Sequence, residues 1–162
     1  FPLDRLIPQR ALFEKIACQS EVVVIGKVLS KNSQFSDDAT TIFTDYDFEI
    51  LEVLKSQFVN LNAGKVITTS RHGGRVLFNN YVIEVRDRGF KNLKVGGNYL
   101  LFLNYLPDSD SFVPRGSVST YRIQGNRFMK NSDSKNTLFQ KEDDRLSNLA
   151  TFIREISPRC HK

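Results

Sequence analysis

The sequence predicts a mainly β protein that closes into a small barrel, with a short N-terminal helix and an amphipathic C-terminal helix. Three observations carry that expectation. Short runs rich in Val, Ile, Phe and Tyr recur along the chain, separated by Gly, Asn, Asp and Pro turn signals. Gly26 sits inside the strongest of these runs, where a barrel strand bends or another backbone approaches closely. Near the end, Leu146, Leu149, Ala150, Ile153 and Ile156 recur at helical spacing.

In chain order, residues 1–8, FPLDRLIP, form a tail bracketed by Pro2 and Pro8, which disfavour a helix and suit an extended chain. Its apolar side chains are Phe1, Leu3, Leu6 and Ile7. The rest of the chain, 9–162, reads as one domain. Residues 9–17 suit a short helix with Leu12 and Ile16 on one face. A strand follows from Glu21 to Ser30, then a polar loop over 31–39. From Ile42 to Lys55, Tyr46, Phe48 and Ile50 alternate with Asp45, Asp47 and Glu49, giving a dry and a wet face. The phase slips at Ile50-Leu51, which predicts a bulge or coil.

Val66–Ser70 reads as a strand and His72-Gly73-Gly74 as a turn. Val76–Phe78 and Tyr81–Val85 are short strands about Asn79-Asn80. Tyr99–Tyr105, YLLFLNY, is nearly continuous apolar and should be the most buried strand. Pro107 to Ser111 reads as a turn, and Ser119–Ile123 with Arg127–Lys130 as a hairpin about Gln124-Gly125-Asn126. After a polar loop over 131–137 comes the helix, 142–156, with Asp143 and Asp144 at its positive N-terminus and Pro158 beyond its end.

The size, 162 residues with 40% hydrophobic and 25% charged, is that of one globular domain with its own core. No apolar run approaches the length of a membrane span. The start at Phe1, without a charged leader, reads as a mature, exported chain. Cys18 and Cys160 are the two cysteines: free thiols in a cytosolic protein, one disulfide closing most of the chain in an exported one. The net charge of +5 favours anionic partners, but the positive charges are scattered.

No cofactor or metal site is expected. The chain has no nucleophile elbow, zinc-binding helix motif, P-loop or dinucleotide fingerprint. His72 sits in a turn, and the adjacent pairs Asp37-Asp38 and Asp143-Asp144 point apart on any regular element, so no catalytic dyad forms. Tyr81, Tyr99, Tyr105 and Tyr121 with Arg86, Arg122 and Arg127 are the candidates for a nucleic-acid stacking groove. The apolar runs around them favour core roles, and no nucleic-acid partner is expected.

Residues 16–28, IACQSEVVVIGKV, resemble the first strand of the tissue inhibitors of metalloproteases and related netrin-like modules, which follows a cysteine and a polar pair. Tyr46–Lys55 resembles that family's second strand and Gly97–Phe102 a later, glycine-led one. The resemblance implies a closed Greek-key OB-type barrel. It also implies a disulfide between Cys18 and Cys160, because the family's terminal helix is followed by a cysteine that pairs back to the one before strand one. The family's zinc-chelating Cys-x-Cys is absent, Phe1-Pro2-Leu3 standing at the start, so inhibition of zinc proteases is not expected. The expectation for function is a secreted, non-enzymatic structural or protein-interaction module. Its tail either folds back on its own barrel or docks on a neighbouring copy, building filaments head to tail. A secreted inhibitor or ligand-binding domain is the alternative, and a nucleic-acid OB module the third reading.

Overall fold

The computed structural model describes residues 14–87, 90–114, 120–125, 127–130, 151, 153–155, 158 and 160. The tail 1–8, the loop 131–137 and positions 142–150 of the helix expected over 142–156 lie outside the described residues. Among the described residues, nine strands follow a first helix, α1, over 14–19. They are β1 (Val22–Phe35), β2 (Ile42–Ser56), β3 (Val66–His72), β4 (Gly74–Phe78), β5 (Tyr81–Val85), β6 (Asn98–Leu106), β7 (Ser111–Pro114), β8 (Thr120–Gln124) and β9 (Arg127–Lys130).

Five of them close a barrel. β1 pairs β2, β2 pairs β3, β3 runs parallel to β7, β7 pairs β6, and β6 returns to β1. This five-stranded ring is OB-like, as expected. Closure is narrowest at β3–β7, where Thr69 faces Phe112 as the one recorded pair. β8 and β9 extend the sheet from β6.

Strand β1 sits between β2 and β6 over its first half, so Val22–Ile25 are buried on both faces. The inward set, Val22, Val24 and Val28, packs with Tyr46, Phe48, Ile67, Tyr99, Leu101 and Leu103 in the barrel interior. The outward set, Val23 and Ile25, packs with Ile16, Ala17, Leu54, Phe102, Tyr121 and Ile153 under α1 and the C-terminal helical residues. β6 is likewise buried through Tyr99–Leu103. A Cβ at Gly26 would stand 3.3 Å from Phe48, the close approach its place in the strand predicts.

The bulge expected at Ile50-Leu51 is present: Gly26 faces Ile50 and Ile25 faces Glu52, leaving Leu51 unpaired and exposed. Three expectations are corrected. β1 does not stop at Ser30. A further bulge, at Leu29, shifts its register, and it runs to Phe35 because Ile42–Asp47 offers a continuous pairing edge. The turn after Pro107 gives way at Ser111 to β7, which is too short to show a period and ends in a proline. α1 continues through Cys18 and Gln19. Lys55 Nζ donates to the carbonyls of Ala17 (2.8 Å) and Cys18 (3.3 Å), capping the helix end with a positive charge.

Cys18 and Cys160 are joined in a disulfide with Cα atoms 5.0 Å apart. It ties α1 to the C-terminal segment, both of which cover the outer core. The bond closes a loop with a sequence separation of 142. The chain-entropy relation then gives a loss of up to ~5 kcal/mol in the Cys18→Ser/Cys160→Ser variant. Denaturant titration measures it, and alkylation of both thiols in native, unreduced protein would contradict the bond.

Burial raises the pKa values of Tyr121 and Tyr46. The unfolded chain releases phenolic protons near the ordinary value of about 10, while the folded chain retains these two, so the unfolded state binds fewer protons there. Their contribution to stability is complete below that pH and is lost as pH climbs above it. A phenolate absorbance titration should show both ionising together with loss of the strand dichroism. Reversible ionisation in an intact fold would contradict their burial.

Candidate interaction surface

The chain leaves the barrel wall at Gly73-Gly74, where both residues take positive φ, 103° and 146°. Gly74 is wedged: a Cβ there would fall 2.3 Å from Thr44 Oγ1 and 2.7 Å from Ser33 Oγ. Thr44 Oγ1 donates to the Gly73 carbonyl (2.7 Å) and shares a 2.7 Å hydrogen bond with Ser33 Oγ. This clamp roots a separate two-stranded sheet, β4–β5. Asn79 and Asn80 turn it with φ of 48° and 68°, the pair of left-handed residues that a two-residue hairpin turn requires.

Beyond its root the hairpin projects from the barrel. Phe35 meets Phe78 edge to face, with centroids 5.9 Å apart, and supports one side. The rest stands in solvent: Tyr81 is 74% exposed, Leu77 69%, Val82 60% and Phe78 53%. Cross-strand pairing places Leu77 with Val82 on one face, beside Arg75 and Glu84, which lie 3.6 Å apart. Arg86 Nε adds a 3.2 Å bond to Glu84, and these two arginines hold its carboxyl below the usual range. Single exposed apolar residues are ordinary; a contiguous group on one projecting element marks an interaction site.

Between the hairpin and the β1–β2 arm lies a cleft of about 430 Å³, lined by Lys31, Ser33, Thr44, Tyr46, Val76 and Asn92 among others. At the inner end of β3, Arg71 lies 3.6 Å over the Phe90 ring, and its Nε and Nη2 are buried with no hydrogen-bond partner. Burial pushes this guanidinium down to about 10, so it remains charged at neutral pH.

The outer face of β1–β3 is different. Asp45, Asp47 and Glu49 follow one another along β2. Asp47 accepts from Thr68 (2.6 Å) and Ser30 (3.0 Å), and Asp45 accepts from Gln34 (3.2 Å). This is the barrel face on which OB modules bind oligonucleotides, and its carboxylates repel a phosphate backbone. The tyrosines considered for stacking are scattered. Tyr99 and Tyr121 are core residues, Tyr105 donates to Asp110 (2.8 Å), and Tyr81 is on the hairpin.

Among the titratable candidates, Asp38 accepts from Ser36 and Thr40, which lower its pKa and fold the β1–β2 loop. His72 ends β3 and bonds Thr41 Oγ1 through Nε2 (2.6 Å). No group of three metal-ligating side chains occurs among the described residues. Of the residues the sequence singles out, Cys18 and Cys160 are brought together, whereas Phe1, Leu3, Leu6 and Ile7 lie outside the described residues. Sequence reasoning found the hairpin but not its exposure. No local signal marks that exposure, since Tyr81–Val85 would read the same way beneath a covering sheet.

Gly74→Ala should destabilise the protein by ~1–3 kcal/mol from its left-handed backbone alone, before the overlap with Thr44 is added. At roughly 2–4 °C per kcal/mol, calorimetry will resolve the drop, and an unchanged Tm would contradict the clamp. No family model and no curated protein matches the chain, and the fold and this surface are what a functional reading stands on.

Proposed function

We propose that the protein is an extracellular, non-enzymatic structural module that binds protein, further copies of itself foremost, with the tail Phe1–Pro8 as the connector. The observation that carries this reading is the projecting β4–β5 hairpin, with Leu77, Phe78, Tyr81 and Val82 in solvent. An apolar group of that kind burdens solubility unless a partner covers it. Apolar Phe1, Leu3, Leu6 and Ile7 place the same burden on the tail.

Export is supported by the Cys18–Cys160 disulfide, a cross-link that persists in oxidising compartments. The OB-like barrel, a helix and cysteine before strand one, and the pairing to a cysteine at the chain's end support kinship with the tissue inhibitors of metalloproteases and netrin-like modules. Their inhibitory activity is not carried over, because the two cysteines here, Cys18 and Cys160, pair with each other and form no Cys-x-Cys. The acidic ladder on β2 counts against nucleic acid. A second reading, a ligand-binding domain, draws on the cleft, whose volume of about 430 Å³ falls in the range of small-molecule sites.

Sedimentation of the full chain over a range of concentrations tests the reading. Oligomers should grow with concentration, and removal of residues 1–8 should leave a folded monomer. A full chain that stays monomeric throughout would remove self-binding and leave the ligand-binding alternative.

A further inference from the structure

Strand β5 offers more than an apolar surface. β4 lies on the side of β1 and β2, and β5 pairs with β4 alone among the described residues. The two-residue turn makes Phe78–Tyr81 a hydrogen-bonded pair, and bonding alternates from there. The N–H and C=O groups of Val82 and Glu84 therefore point outward from β5, an edge left open among the described residues.

Resting on the self-binding reading above, we infer that Leu3–Ile7 of one copy adds to β5 of the next as an antiparallel strand. The pattern of the tail fits this edge in detail. With Arg5 opposite Glu84, Ile7 falls opposite Val82 and Leu6 opposite Ile83. Ile7 and Arg5 then face the outward groups of Val82 and Glu84 with their own N–H and C=O. The even positions turn their backbone away from β5, and both prolines, Pro2 and Pro8, are at even positions. Proline is tolerated in a strand only where no ladder bond is needed. Charge agrees as well: Arg5 meets Glu84.

Reach favours the neighbour's hairpin over the tail's own. From Ile7 to Glu14 an extended chain covers at most ~25 Å. α1 covers the β1 end near Val23, whereas the hairpin root is clamped at Ser33. Along the contour of β1, bulges included, Val22 and Ser33 are up to roughly 36 Å apart. A second copy carries no such limit. Backbone pairing supplies the affinity of an added strand, and the alternate side chains its register.

The test uses the full chain, with sedimentation as the readout and circular dichroism as the check on folding. Val82→Pro removes an outward N–H and should abolish assembly, as removal of residues 1–8 should. Arg5→Glu and Glu84→Arg should each weaken assembly alone. A mixture of those two chains restores both contacts, so it should assemble like the unaltered protein, even where Val82→Pro misfolds. Loss of assembly on removing the tail, with Val82→Pro assembling normally, would overturn β5 as the site and leave the connector reading standing. Loss with Val82→Pro but not with tail removal would mean that β5 edges pair with each other, which also overturns it. Failure of the mixture to restore assembly would overturn the register. A full chain that never assembles would remove the underlying reading itself.

Discussion

The double burial of β1 is the constraint on which the other elements depend. A strand flanked by β2 and β6, with Val22 and Val24 inward and Val23 and Ile25 outward, must be covered on both faces. The inward face is covered when the barrel closes. The outward face needs a second layer, which α1 and the residues about Ile153 provide. The termini of the fold are thus part of its core. Separating them would expose Val23, Ile25 and Phe102 to water, and the disulfide joins the two segments that cover them. The exposed ion pair of Arg154 with Glu52 adds little to this, since charges in solvent are screened.

Among the described residues, the opposite end of β1 has no such covering. Past the bulge at Leu29 the strand continues, and its arm with β2 extends to Phe35 with the hairpin leaning on it. A two-stranded sheet is marginal in isolation. This one persists because Gly73-Gly74 is clamped by Thr44 and Ser33 and because Phe35 meets Phe78. Stability is concentrated at the α1 end, and open edges and apolar side chains at the hairpin end. That division lets the outer edge of the hairpin stay unpaired, among the described residues, without loosening the barrel.

Much of the barrel was legible in sequence because alternation and continuous burial leave different patterns. Tyr46, Phe48 and Ile50 alternate and one face is dry; Tyr99–Leu103 does not alternate and both faces are. The slip at Leu51 was readable for the same reason. What could not be read depends on partners distant in sequence. β7 closes the ring yet holds four residues, too few for a period to show. The polar run 31–34 gives no apolar signal, and only pairing with the β2 strand makes it part of β1. Exposure of Tyr81–Ile83 is likewise invisible locally, since the same residues under another sheet would form a core strand. Arg71 illustrates the limit in reverse: nothing near it in sequence says that Phe90 will lie under its guanidinium.

The two ends of the barrel differ, and this decides what kind of assembly a tail-to-hairpin contact makes. The tail leads into α1, which covers the start of β1, whereas the hairpin is rooted at Ser33 and Thr44 near the other end. A contact between unlike surfaces of two copies is heterologous. Each added copy uses one hairpin and presents another, so the contact regenerates itself. It closes into a ring only when the rotation between neighbours divides a full turn; any other rotation gives an open chain. In the proposed contact, with donor and acceptor toward opposite ends of one strand, successive barrels would be displaced along that strand rather than around a common centre. Displacement of that kind favours the open chain, with the barrel as the repeating body and the added strand as its link.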